Sequence, residues 1–350
     1  MLVGRVSGKS IADFTKENIF QPLDMSSTSW RDDYRRIVPN RAMAYSDSGG
    51  ILRTDMPFED AHGNGGLLTT VGDLLRWNRN FTEMKVGGQK LIDLQTEQGV
   101  LTDGRKIAYA RGLMILHWRG VPEVSHSGST AGYSAWLGRY PEQQLSIAVL
   151  CNVTTNATNL GHQVADVYLD KFLSHPAPPS APSDAATLQA KAGLYRSLRD
   201  HHTQTIEFRE TALRLNGHPL RQLSATTFQE NPTSPLIEIS ANTLRISSEE
   251  DPNNVFERVT AVSPSAAQLK AFVGEYTSSE ADVTYRTAVE DGGLVLHRGA
   301  DQPIPLTATY KDGFSSSVGS IRFLRDANGR VTEMSIGRAR VWDLRLRKLL

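Results

Sequence analysis

The chain has 350 residues, enough for two or three domains that each bury a core of their own. Its 38 Lys+Arg balance its 38 Asp+Glu, which leaves no electrostatic case for binding nucleic acid or an anionic membrane surface. The single cysteine, Cys151, excludes an intramolecular disulfide and a cysteine-built zinc site, and no stretch reaches the roughly 20 apolar residues of a membrane helix.

The first segment, MLVGRVSGKSIADF, holds too short an apolar run for a signal peptide and reads like the interior of a domain. Ser10 can cap a helix whose apolar positions Ile11, Phe14 and Ile19 follow helical spacing and which ends before Pro22. FQPLDMSSTSW (Phe20 to Trp30) is the exit from that helix. GNGGLLTTVGDLLRW (Gly63 to Trp77) is a glycine-dense loop running straight into a second helix. Thr70 is its cap, Asp73 sits three residues on, and Val71, Leu74 and Leu75 face inward. An acid at that position stabilises the helix N-terminus, so Asp73 is read as a structural cap and not as a catalytic acid. RGLMILHW (Arg111 to Trp118) reads as a strand, and Val124 to Asn152 as two more joined by a turn, with His126-Ser127-Gly128 at the entrance. Trp77, Trp118 and Trp136 are read as core or cleft-wall aromatics. This is an α+β pattern built on antiparallel neighbours.

SHPAPPSAPSDAA (Ser174 to Ala186) is rich in Pro, Ser and Ala and is read as a linker between a first part, 1–173, and a second, 187–350. The second part alternates apolar and polar residues with Gly, Asn and Asp punctuation, which argues all-β. It also repeats itself. LQAKAGLYRS at Leu188 lines up with LKAFVGEYTS at Leu269, Ala212–Leu215 with Gly293–Leu296, and VFERV at Val255 with VWDLR at Val341. Two copies, about 187–262 and 268–350, imply two small barrels or two halves of one. In each, Gly-x-Tyr places a tyrosine where it can plug a barrel end.

The chemistry-bearing motifs are few. Nine histidines show no His-x-x-x-His or His-x-His spacing, so no metal site is expected. GNGG is followed by Leu-Leu-Thr-Thr with no lysine to reach a phosphate, so no nucleotide or other cofactor is expected. His126-Ser127-Gly128 stands out because an imidazole and a hydroxyl can both donate to a substrate carboxylate, while a glycine lets other groups approach the backbone.

Taken in order, Pro22-Leu23-x-Met25-x-x-Thr28, the glycine loop into its helix, His126-Ser127-Gly128 and the Gly132-Tyr133 pair with the Pro141 turn resemble the serine β-lactamase-like hydrolases. That group includes class C β-lactamases, penicillin-binding-protein-like peptidases and related esterases, and the resemblance covers roughly residues 1 to 170. It implies the C-terminal portion of a β-lactamase/transpeptidase-like domain, an antiparallel sheet with helices, followed by the barrel-like region with its repeat. It also implies that His126-Ser127-Gly128 is the His-x-Gly form of the family's Lys-Thr-Gly strand, with the Ser129 amide as one oxyanion-hole donor. Removing such a donor typically costs about 10²–10³ in rate. Asp24 departs from the family's usual glycine between Leu and Met.

The family's nucleophile lies in Ser-x-x-Lys on a helix, where serine and lysine share a face. No lysine of this chain has a serine three residues before it; Thr82-Glu83-Met84-Lys85 is nearest and falls in the wrong order. Tyr45-Ser46-Asp47 matches a structural loop of relatives better than their Tyr-x-Asn motif. The resemblance thus leads us to expect a chain that starts downstream of the nucleophile and its lysine, is inactive alone, and belongs to an exported protein whose leader would lie upstream. The expected partner is a small-molecule or peptide-like substrate opened through an acyl-serine intermediate. The rival reading is a non-catalytic protein that binds a ligand or another protein in the residual cleft or the barrel.

Overall fold

The computed structural model describes residues 2–58, 63–174, 183–299, 301–338 and 340–349. The chain divides into two compact units, Met1–His175 and Pro176–Leu350. Most of the expected linker, residues 175–182, lies outside the described residues.

The first unit opens with helices α1 (Leu2–Ser7) and α2 (Ile11–Thr15), the latter prolonged by a π-helical turn, Lys16–Phe20. Ser10 caps α2 as expected, its Oγ accepting from the Asp13 amide at 3.0 Å. Leu23 and Met25 are buried at the helix exit with Phe20, and Trp77 packs against them. Between them Asp24 has φ 57°, the left-handed region. This explains why glycine suits the position, and aspartate is among the few other residues that tolerate it.

Short strands β1 (Ser29–Trp30), β2 (Tyr45–Ser48), β3 (Ile51–Thr54) and β4 (Leu67–Leu68) follow, pairing β1 with β4 and β2 with β3. Helix α3 (Val71–Glu83) starts at Thr70, whose Oγ1 accepts from the Asp73 amide at 3.3 Å. Asp73 is 1% exposed and accepts from the Ser27 amide, the Thr28 hydroxyl (2.7 Å) and the Arg76 guanidinium. Its carboxylate therefore clips the Pro-Leu-x-Met-x-x-Thr segment to the glycine-loop helix, a structural duty but a tertiary one in place of the helix cap expected from the sequence.

After α4 (Gly88–Thr96) comes a four-stranded antiparallel sheet in the order β5 (Met114–Trp118), β6 (Val121–Thr130), β7 (Tyr133–Tyr140), β8 (Leu145–Cys151), closed off by helix α5 (Ala157–Leu169). Val124 to Asn152 thus holds parts of three strands, not two. The turn read at Pro141 runs to Gln144, at φ 53°, and adds a second turn to the one at Gly132. Alternation along β7 buries Ser134, Trp136, Gly138 and Tyr140 on the face that meets α5. Trp136 lies so close to Gly138 and Gly161 that a Cβ on either would fall 2.1–2.2 Å from its ring. On the other face Arg139 lies over Phe81 of α3, its guanidinium carbon 4.1 Å from the ring centroid.

The second unit realises the repeat as two meanders. Each opens with a short helix, α6 (Ala185–Gln189) or α7 (Ala266–Leu269), and then the Gly-x-Tyr strand. Tyr195 and Tyr276 are both fully buried, and each donates its hydroxyl to the carbonyl four residues earlier, Lys191 and Phe272, at 2.8 Å. The second copy closes into an eight-stranded barrel from β18 (Gly274–Ser278) to β25 (Val341–Lys348). The first is a nine-stranded sheet from β9 (Gly193–Ser197) to β17 (Asn254–Val259), in which β17 pairs back onto β9. Its two ends, His218–Pro219 and Arg221–Gln222, are separated in sequence by the buried Leu220 alone. No described helix is long and apolar enough to cross a membrane.

Candidate active-site wall

His126, Ser127, Gly128 and Ser129 form the second half of β6 and are all exposed. β5 runs out where Met114 pairs with Ser125, so beyond Ser125 only β7 pairs with β6 among the described residues. The backbone edge from His126 to Thr130 that faces away from β7 is therefore open. Such an edge is a template for an extended peptide.

The His126 ring has two partners. Nδ1 lies 2.6 Å from the Ser127 carbonyl oxygen, which can only accept, so Nδ1 carries a proton. Nε2 lies 3.1 Å from the Tyr109 hydroxyl, and the two rings meet edge to face with centroids 5.7 Å apart. Tyr109 comes from the segment just outside β5, where Ala108 accepts from the Ile115 amide and Tyr109 from the Gly99 amide. Beside it lies a surface pocket of about 340 Å³ lined by Glu97–Val100, Ala110 and Arg111. The sequence reading missed Tyr109, which stands 17 positions from its partner.

Gly128 has no neighbour within 4 Å of where a Cβ would lie, and its φ is not positive. Neither packing within this chain nor backbone conformation demands a glycine there. Gly132 is the opposite case, since a Cβ would lie 2.4 Å from the Tyr45 carbonyl oxygen. The Tyr45 segment is bound to the end of the sheet through Tyr45 N–H to the Asn152 carbonyl, Asn152 Nδ2 to the Met43 carbonyl, and the Tyr133 hydroxyl to the Ala42 carbonyl. Tyr45-Ser46-Asp47 is thus tied into the scaffold, and Gly132-Tyr133 is the fastening. Thr82 and Lys85 lie at the C-terminus of α3, where Met84 takes the left-handed cap. His62 lies outside the described residues.

A second titratable cluster occupies the first half of β6. Glu123, 2% exposed, accepts from Ser125 Oγ (2.7 Å), the Tyr140 hydroxyl (2.8 Å) and His162 Nε2 (2.8 Å). His162 stacks on Trp118 with centroids 3.6 Å apart, and the Trp118 indole N–H donates to Asp166. Burial alone would push the Glu123 carboxyl up; the three donors, His162 foremost, outweigh it and hold the group below its ordinary value. Ser125 is bonded to Glu123 and not to the imidazole, so this is not a nucleophile–base pair.

A sequence profile of the Beta-lactamase family matches residues 1–168. Over these residues the chain is similar to the beta-lactamase family. The resemblance read from four separated motifs is therefore supported over residues 1–168. Among curated relatives, a D-aminopeptidase of Brucella canis is 21% identical over 364 residues, covering 96% of this chain and 66% of its own length. Penicillin-binding protein 4* of Bacillus subtilis is 25% identical over 171 residues, 43% of this chain and 37% of its own. The chain thus spans just under two thirds of the length of the D-aminopeptidases it matches. An octameric penicillin-binding protein homologue from Pyrococcus abyssi aligns with a TM-score of 0.44 at 17% identity, covering 85% of this chain and 60% of its own. At that score the likeness carries no weight in assigning the chain.

Proposed function

We propose that the His126–Ser129 edge is the substrate-binding wall of a serine-hydrolase site for short peptides or amides, of the kind named in the D-aminopeptidase relatives. One observation carries this reading: an exposed imidazole, hydroxyl and glycine occupy the stretch of β6 whose outer edge is left unpaired among the described residues. The open space at Gly128 supports it, because the glycine serves an approaching group better than anything within the chain. In this reading His126 and Ser127 hold a substrate carboxylate and the Ser129 amide faces the oxyanion. The linker read over 174–186 separates this wall from the repeated β region.

We further infer that the chain by itself forms no acyl-enzyme, because no Ser-x-x-Lys occurs in its sequence. It then binds substrate without turning it over. Titrating D-alanyl-D-alanine into the ¹⁵N-labelled chain is expected to shift the Gly128 and Ser129 amide resonances. Unmoved resonances at millimolar peptide would overturn the binding wall. Covalent labelling by a fluorophosphonate, or a burst with nitrocefin, would overturn the inactivity.

A further inference from the structure

We propose that the Leu198–His202 loop of the first copy is an acid-released latch on the barrel of the second, closed only while the His201 ring is neutral. The loop joins β9 to β10 (Thr203–Arg209). In the barrel Ile321, Phe323, Met334 and Leu346 belong to the core, so the alternating Arg322, Ser335 and Arg345 point outward, in one cross-strand row. An outward residue should meet water, yet Ser335 is 0% exposed. The loop is what covers this face. The Asp200 carbonyl oxygen lies 2.0 Å from where a Cβ on Gly337 would stand, and the Tyr310 hydroxyl donates to the His201 carbonyl at 3.3 Å. The Arg199 guanidinium carbon lies 4.5 Å from the centroid of the Trp342 ring.

His201 sits in this contact and resists a proton there. It is 8% exposed, and its Nδ1 is shut off from water with no hydrogen-bond partner among the described residues. A neutral ring can leave Nδ1 as a bare lone pair, whereas a charged ring donates from both nitrogens and would bury an unpaired N–H. The surrounding charges oppose the proton as well. Arg196 of β9, and Arg322 and Arg345 of the barrel, face the ring against the carboxylate of Asp343, which Ser335 and Arg345 already engage. Arg196 is paired with Glu257, and Asp200 with His202 at 2.7 Å. Burial foremost, then Arg322 and Arg196, lower the His201 value from its ordinary 6.5. Lifting the loop returns Nδ1 to water and removes the penalty. Below 6.5 each pH unit therefore favours the lifted loop by up to about tenfold, until the closed form itself takes the proton.

Ser335→Cys in a Cys151→Ser background puts the chain's one thiol under the loop. Its rate of reaction with dithiodipyridine, divided at each pH by that of the urea-unfolded chain, reads the fraction of lifted loop. This ratio is expected to rise between pH 7 and 5, by up to about tenfold per unit, with an unchanged circular dichroism spectrum. His201→Asn, which tolerates the φ of 64°, should hold the ratio flat. Gly337→Ala, which drives a methyl against Asp200, should raise it already at pH 7. A ratio that does not move with pH, or that rises equally in His201→Asn, would overturn the latch. So would a rise that comes only with loss of the spectrum, because the unit would then be unfolding as a whole.

Discussion

Strand β6 meets two imidazoles, its own His126 and His162 of α5, in environments that differ in almost every respect. In its first half, Glu123 is removed from water and bonded by a serine, a tyrosine and His162. In its second half, His126 stands in the open with one phenol and its neighbour's carbonyl for company. The strand changes character at Ser125, where the β5 partner ends. The same alternating backbone thus anchors a helix with one half and offers an unpaired edge with the other. A titratable group that is itself out of water, with its partners mostly buried, is stabilising the scaffold; one with exposed, replaceable partners is available to a ligand.

The largest effect expected from breaking this contrast is on stability. Glu123→Ala leaves the Tyr140 hydroxyl, Ser125 and His162 without their acceptor in a buried site, a loss of about 3–5 kcal/mol. His126→Ala, on an exposed strand, is expected to stay within about 0.5 kcal/mol. Urea unfolding monitored at the tryptophans measures both; similar losses from the two substitutions would erase the distinction. Next in size is a pair of Gly→Ala changes. Gly161→Ala drives a methyl into the Trp136 ring and should cost about 1–3 kcal/mol, whereas Gly128→Ala meets nothing and should cost little. A Gly128→Ala variant that keeps its stability and loses peptide binding would sharpen the reading of the edge.

Acidification separates the buried groups further. The folded-state value of Glu123 is lowered, so its contribution is present above the ordinary value of 4.5 and is lost as pH falls through the lowered one. Glu123→Gln should remove that part of the acid slope from the first unit. In the second unit His201 is 8% exposed at φ 64°, and burial, with Arg322 and Arg196 nearby, lowers its value from 6.5. Above 6.5 both states are neutral there; below it the unfolded chain takes a proton that the folded one resists, so stability falls. His201→Asn keeps a residue that tolerates the left-handed backbone, and it should flatten the thermal midpoint of that unit between pH 7 and 5. A slope unchanged by either substitution would assign the acid sensitivity elsewhere.

Much of this was legible in the sequence, and the rest has a common physical cause. The Ser10 and Thr70 caps follow from local rules acting over three or four residues, and the all-β repeat with its two buried tyrosines from alternation and self-similarity along the chain; the partners of the Asp73 carboxylate, 45 and 46 positions away, do not. The family resemblance rested on motif order, and it held over residues 1–168. Glu123 could have been found: Val121, Glu123 and Ser125 fall on one face by period two, and that face is the buried one. Its partners Tyr140 and His162 lie 17 and 39 positions away, where no local pattern reaches. Tyr109 was invisible for the same reason, whereas the three-strand reading of Val124–Asn152 was within reach, since Gly132 and Pro141 mark its two turns.

The smallest effect is the most specific to the contrast within β6. Tyr109 and His126 are both exposed, so their hydrogen bond competes with water and is worth only about 0.5–1 kcal/mol. A double-mutant cycle with Tyr109→Phe and His126→Ala should therefore give a coupling at or below that range, near the limit of urea unfolding. The same cycle at Tyr140 and Glu123, with its 2.8 Å bond out of water, should give a coupling of about 1.5–3 kcal/mol. Equal couplings would mean that the open pair is as much a part of the scaffold as the buried one, and that β6 has no change of role at Ser125.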